Sequence, residues 1–335
     1  MEPYASARDE FNGEAEVFLD ANENPFFNGV NRYPDPCQHE LRKVIGSVKK
    51  VNQNRIFTGN GSDEVIDLLI RIFCNPGKDN IIIQPPTYGM YAVSAAINDV
   101  EIRKVPLTPD FQPNVKAVLD AADENSKILF ICSPNNPSGN LINRQAIMQL
   151  LDGFKGLTIV DEAYIDFCPD ASVVDLLAKY SNLFVMQTLS KAWGMAGLRL
   201  GIGMGNPALI RILDKIKPPY NISVLNAELA IQKLSNPRRM QEQVKILLNE
   251  RDFLSGELRK LNFVRTVYPS DANFLLVKTD DACAVYHQLI KQKIVVRNRS
   301  NIILCDSCLR ITVGLPDENV KLIETMKLME SFKNN

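Results

Sequence analysis

The chain has 335 residues, 45% of them hydrophobic and 23% charged, and its 38 Lys and Arg against 39 Asp and Glu leave a formal net charge of −1. That balance gives no electrostatic case for nucleic acid or an anionic membrane as partner, and the most apolar stretch, "VIDLLIRIF", is already broken by Asp67 and Arg71. The acidic, polar start "MEPYASARDEFNGE" has no signal-peptide core, so the cytoplasm is the expected location.

Taken in chain order, "FTGNGSDEVIDLLIRIF" (57–73) reads as a glycine turn leading into a helix. Short apolar runs rich in Ile and Val then recur at 80–86, 127–134, 157–164, 182–191 and 198–204. Runs that lack strict alternation fit strands buried on both faces. Between them lie amphipathic stretches such as "NRQAIMQLLDGF", and the alternation predicts an α/β domain with a mostly parallel sheet. After "IKPPYNISV" (216–224) the texture changes. A long charged helical segment interrupted at Pro237 is followed by the strands "NFLLVK", "KIVVR" and "CLRITVG" and a closing helix, "ENVKLIETMKLMESF". This predicts a smaller α+β domain with its boundary near Pro218-Pro219.

Seven cysteines scattered through a chain of this length do not form a disulfide framework, and the one close pair, Cys305 and Cys308, has neither a second pair nor a nearby histidine to make a metal site. With only His39 and His287 present, proton transfer is expected to use a base other than imidazole.

Polar groups collect at the predicted strand ends: Tyr88 after the first run, Asn135 and Asn136 after the second, Asp161 and Tyr164 after the third, and Thr188, Ser190 and Lys191 after the fourth. Ligands of open α/β sheets sit beyond those carboxyl ends. Gly59 and Gly61 let the backbone approach closely, and the free amides of Gly61, Ser62 and Asp63 at a helix start suit a phosphate, although Ser62 or Asp63 could simply cap the helix. Asp161 ends an apolar run, where a carboxylate needs a cation; a structural arginine is the plain alternative to a ligand. A lysine, an aspartate and an anion-binding helix start together are what a pyridoxal phosphate site requires.

Eight segments, in order and nearly end to end, give the chain a family resemblance: "LDANENP" (19–25), "RYPDP" (32–36), "GNGSDEVIDLLIR" (59–71), "PPTYGMY" (85–91), "CSPNNPSG" (132–139), "IVDEAYIDF" (159–167), "TLSKAWGMAGLRLG" (188–201) and "LRITVG" (309–314). It resembles the fold-type-I pyridoxal-phosphate-dependent aminotransferases (class II), and within them the histidinol-phosphate aminotransferases. The resemblance implies a large domain (26–217) with a seven-stranded, mostly parallel sheet flanked by helices, a small domain (218–335), and an N-terminal arm (1–25) packing on the small domain and a partner subunit. It implies that pyridoxal 5'-phosphate forms a Schiff base with Lys191, that Asp161 pairs with the pyridine nitrogen, and that Tyr164 and Asn136 bond the ring oxygen while Tyr88 stacks on the ring. Gly61, Ser62, Asp63, Thr188, Ser190 and Arg199 would hold the cofactor phosphate, with Tyr33 reaching it from the partner of a homodimer. Arg310 would grip the α-carboxylate of glutamate, Arg297 the substrate phosphate, and Tyr4, Asn22 and Glu23 would line the rest of the substrate site.

The activity so implied is reversible amino transfer between L-histidinol phosphate and 2-oxoglutarate, in L-histidine biosynthesis. An aromatic amino-acid aminotransferase and a phosphate-substrate decarboxylase are the alternatives within the fold, and a non-catalytic cofactor-sensing domain is the alternative outside enzymes. A nicotinamide dehydrogenase is disfavoured, because "GIGMG" (201–205) lacks dinucleotide-fingerprint spacing. Two departures stand out: Ser138 replaces the threonine of "NNPTG", and Trp193 stands where phenylalanine is common.

Overall fold

The computed structural model describes residues 16–333. Its larger sheet has seven strands in the order β1-β7-β6-β5-β4-β2-β3. They are β1 (Ile56–Asn60), β2 (Asn80–Ile83), β3 (Glu101–Lys104), β4 (Ser126–Cys132), β5 (Leu157–Asp161), β6 (Leu183–Thr188) and β7 (Leu200–Met204). Neighbours from β3 through β6 pair in parallel, and only β7 runs against both β6 and β1. The five apolar runs are all strands. Two strands had no such signal: β1, whose Gly59-Asn60 end reads as a turn, and β3, an edge strand of sequence EIRK.

Both faces of the sheet are covered, which is why its central strands need no alternation. On one face α2 (Gly61–Phe73), α3 (Met90–Ile97) and α6 (Pro207–Ile216) pack Val65, Leu69, Tyr91 and Leu213 against Phe130, Ile159 and Phe184. On the other, α1 (His39–Lys49), α5 (Arg144–Gly153) and α7 (Val224–Leu234) bury Leu41, Leu150 and Leu234 with Leu129, Val185 and Ile202. α4 (Val115–Asp120) crosses beside α5.

The second sheet has the order β10-β11-β9-β8, from β8 (Val264–Val267), β9 (Phe274–Thr279), β10 (Arg297–Asn298) and β11 (Cys308–Thr312), all antiparallel. It packs its own core with α8 (Pro237–Leu258), α9 (Ala282–Lys291) and α10 (Pro316–Lys333), including Leu258, Val277, Leu289 and Ile323. The helical break falls where Pro237 predicts, as the first residue of α8. "KIVVR" departs from expectation: only Arg297 of it is strand, and Val295 is 81% exposed. Cys305 and Cys308 are free thiols buried beneath Phe111 and Leu276, a packing role. Among the described residues no helix is long and apolar enough to cross a membrane.

Candidate active site

The carboxyl ends of the adjacent parallel strands β2, β4, β5 and β6 open into a cleft of about 570 Å³. Its walls include Ser62, Asp63, Tyr88, Asn136, Asp161, Tyr164, Thr188, Ser190, Lys191, Arg199, Arg297 and Arg310. Side chains from 62 to 310 in the sequence thus meet because parallel strands deliver their ends to one edge.

Asp161, the last residue of β5, is buried, with Oδ2 accepting a 2.6 Å hydrogen bond from the Tyr91 hydroxyl and Oδ1 accepting from the Ala163 amide at 3.0 Å. Burial pushes its pKa up to about 6, against the opposing pull of the Tyr91 and Ala163 bonds and of Lys191. Such a carboxyl is poised for a cation. Tyr91 carried no assigned role in the sequence; it lies in the first turn of α3 and stacks on Phe130 with centroids 4.4 Å apart, and its place in the same "PPTYGMY" segment as Tyr88 was the available signal.

Lys191 follows the end of β6 in a tight turn, its carbonyl accepting from the Gly194 amide at 3.0 Å. Its side chain opens to the cleft and is more exposed than a residue trailing a buried strand suggests, but the cleft walls crowd the ammonium, which lies 5.5 Å from the Tyr164 ring centroid. Desolvation first, then the repulsion of Arg310, lowers its pKa, with Asp161 opposing. Trp193 anchors this turn: its indole N–H donates to Asp166 Oδ2 at 3.1 Å, and Asp166 Oδ1 accepts from the nearly buried Lys49 ammonium at 2.6 Å. Since Asp166 lies two residues past Tyr164, one carboxylate ties together the turns that carry Tyr164 and Lys191.

The start of α2 lies against the strand that follows Arg199. Arg199 adopts a left-handed backbone (φ 51°), and its carbonyl accepts the Gly61 amide at 2.6 Å. Gly61 itself has φ +79°, and a Cβ there would come within 2.6 Å of Arg199 Nη2. A Cβ on Gly201 would sit 2.4 Å from both the Gly61 carbonyl carbon and the Ser62 amide nitrogen. Gly201 is therefore a requirement of this approach that sequence reasoning left without a role. With the Gly61 amide committed, Ser62 and Asp63 are the first-turn amides without a helical acceptor. Arg199 Nη2 lies 3.5 Å from Asp63 Oδ2, and the Thr188 hydroxyl donates to the Leu200 carbonyl at 3.1 Å beside Ser190.

The second sheet supplies the remaining wall. Arg310 on β11 donates from Nη1 to Asn136 Oδ1 at 2.6 Å and lies 5.4 Å from the Phe274 ring centroid. Asn136 Nδ2 in turn reaches the Tyr164 hydroxyl at 3.4 Å. Ser138 keeps the hydroxyl of the threonine it replaces, accepting from Asn135 Nδ2 at 2.7 Å, so the substitution leaves the loop's internal bond intact. Asn135 is spent on that bond and on the Pro86 carbonyl.

Three expected residues lie elsewhere, and a fourth is not described. Glu23 accepts from Arg32 Nη1 at 2.7 Å and from the Tyr33 amide at 2.6 Å, holding the following segment; Asn22 is exposed. Tyr33 stacks on Tyr220 at 4.4 Å, outside this chain's cleft, and Tyr4 falls outside the described residues. Arg299 lines the cleft without having been singled out; it stands two residues after Arg297, just past the end of β10.

The aminotransferase class I and II family model matches residues 12–324. The chain belongs to the class I and II aminotransferases. The histidinol-phosphate aminotransferase of Flavobacterium johnsoniae is 51% identical over 332 residues, covering 98% of this chain and 95% of the relative. The crystal structure of the histidinol-phosphate aminotransferase from Clostridium acetobutylicum superposes with a TM-score of 0.84 at 29% identity, covering 90% of this chain and 91% of that one. The enzyme of that name from Sinorhizobium meliloti, solved in complex with pyridoxal-5'-phosphate, shares the fold at 22% identity with a TM-score of 0.80, covering 89% of this chain and 84% of that one. This aminotransferase is accordingly an enzyme that depends on pyridoxal phosphate.

Proposed function

We infer that this enzyme is a histidinol-phosphate aminotransferase, exchanging an amino group between L-histidinol phosphate and 2-oxoglutarate. The observation that carries the mechanism is the meeting of Lys191, Asp161 and the α2 start on one cleft to which the far sheet contributes Arg297 and Arg310. The donor set fits the cofactor. Asp161, buried and reluctant to ionise alone, suits a protonated pyridine nitrogen. The Ser62 and Asp63 amides, the Thr188 and Ser190 hydroxyls and Arg199 suit a phosphate.

When bound, pyridoxal phosphate supplies the carbonyl that receives the amino group and a protonated ring that accepts the electron pair left at Cα. Lys191 would hold it covalently and then take the Cα proton on Nζ, a task suited to an amine whose pKa is lowered by its surroundings. Asp161 would hold a negative charge toward the ring nitrogen, and the Tyr91 hydroxyl keeps Asp161 aimed. Tyr164 and Asn136 would bond the ring oxygen, and Tyr88, already held by Asp63 at 3.1 Å, would lie along the ring face. Arg310 would take the glutamate α-carboxylate as a planar fork, and Arg297 the substrate phosphate.

We assign residues 26–217 to the cofactor domain and 218–335 to the small domain. A cytoplasmic homodimer is proposed, with Tyr33 serving the second copy's site. Leu19, Phe26 and Phe27 are 89%, 80% and 90% exposed, an apolar surface suited to burial against another chain. The test is a half-reaction screen of amino donors combined with borohydride reduction of the yellow holoenzyme. Histidinol phosphate and glutamate are expected to discharge the chromophore, and reduction to label Lys191. Label on another lysine, or equal efficiency with phenylpyruvate, would overturn the reading.

A further inference from the structure

Arg297, Arg299 and Arg310 line one cleft, and among the described residues no carboxylate lies within ion-pairing distance of any of them. Their arrangement follows from sheet register. Arg297 on β10 pairs directly with Arg310 on β11, so the two side chains share a face. The Arg299 amide donates to the Cys308 carbonyl at 2.8 Å, extending that pairing by one residue. Side chains two apart on a strand point the same way, so Arg299 joins the face that Arg297 and Arg310 present to the cleft.

Arg299 is not an ordinary surface arginine. Its Nε is buried and has no hydrogen-bond partner, a costly condition for a guanidinium group. Burial and the two neighbouring arginines each lower its pKa, which marks a charge assembled against its own preference. One planar carboxylate is satisfied by one fork. A phosphate monoester carries close to two negative charges at neutral pH and three acceptor oxygens, more than Arg310 alone can match.

We propose that Arg299 is a further substrate-binding residue, which with Arg297 forms a subsite for a dianionic phosphate and selects phosphorylated over unphosphorylated amino donors. This rests on the phosphate-ester reading of the substrate given above.

The experiment compares wild type, Arg299→Gln and Arg299→Lys as holoenzymes, with histidinol phosphate, histidinol and phenylalanine as donors and inorganic phosphate as a competitive inhibitor. In Arg299→Gln, KM for histidinol phosphate is expected to rise about ten- to hundredfold, the loss of one charge-assisted hydrogen bond, while kcat changes little. KM for histidinol and phenylalanine should hold, Ki for phosphate should rise in parallel, and Arg299→Lys should recover part of it. Equal changes for all donors, or an unchanged phosphate Ki, would overturn the proposal. Wild type that strongly prefers histidinol phosphate and a glutamine variant that keeps the preference would refute the role of Arg299 alone. No preference in wild type would instead remove the phosphate-ester reading and this inference with it.

Discussion

The hydroxyl of Tyr91 is hydrogen-bonded at 2.6 Å to Oδ2 of Asp161, from a ring with no solvent exposure. The bond favours the ionised carboxylate, yet burial outweighs it and holds the Asp161 pKa near 6. Tyr91→Phe removes the opposing pull. Asp161 should then titrate higher still, the acid limb of the kcat/KM profile should move to higher pH, and cofactor affinity should fall about tenfold. A pH–rate profile with a cofactor titration checks both; an unmoved acid limb would count against the role of Tyr91.

Stability of the cofactor-stripped enzyme should depend on Asp161 in a defined direction. Its folded pKa is raised from 3.8 to about 6, so its contribution is full below the lower value and lost as pH rises through the upper one. The buried Glu162, raised from 4.5 to about 7, acts the same way over a slightly higher window. Two units correspond to a penalty of about 3 kcal/mol at most. Urea unfolding of the stripped protein at pH 4.5 and 7.5 should show wild type losing more stability than Asp161→Asn. In the cofactor-loaded enzyme the same substitution should abolish most activity.

Gly201→Ala places a methyl within 2.4 Å of the backbone at the start of α2. The helix start must retreat, at a cost of about 1–3 kcal/mol, and cofactor affinity should drop with it. Gly197→Ala is the control, because a Cβ there meets nothing within 4 Å. Fluorescence titration with pyridoxal phosphate separates the two; equal affinities would mean that the contact is not limiting.

Trp193→Phe keeps an aromatic ring and loses the donor to Asp166, leaving that carboxylate with Lys49. A loss of about 1–2 kcal/mol is expected in denaturant unfolding. Because Asp166 spans the Tyr164 and Lys191 turns, kcat should fall several-fold while cofactor affinity holds. A change in stability with no change in kcat would confine Trp193 to packing.

Much of this architecture is visible in the chain's chemistry before any coordinates. Unbroken apolar runs mark β2, β4, β5, β6 and β7, and the polar groups that follow four of them converge because parallel strands must. The signal fails where function or an edge overrides hydrophobicity. β1 ends in Gly59 and Asn60 to bring the backbone close to the cleft, and β3 carries charges because it closes the sheet. Tyr91 was hidden because its partner lies seventy residues away, and Gly201 because its reason is another segment's backbone. Arg299 has no signal of its own in the sequence, because what brings it to the face of Arg297 is the pairing of its backbone with Cys308.

The bond from Arg310 to Asn136 joins the two sheets across the cleft. Asn136 takes one of the five N–H donors of that guanidinium, so a carboxylate bound at Arg310 as proposed would meet a fork already held in place by the facing loop. A carboxylate that displaced the Asn136 oxygen would also disturb the amide that reaches the Tyr164 hydroxyl, so the contacts at the two ends of Asn136 would change together.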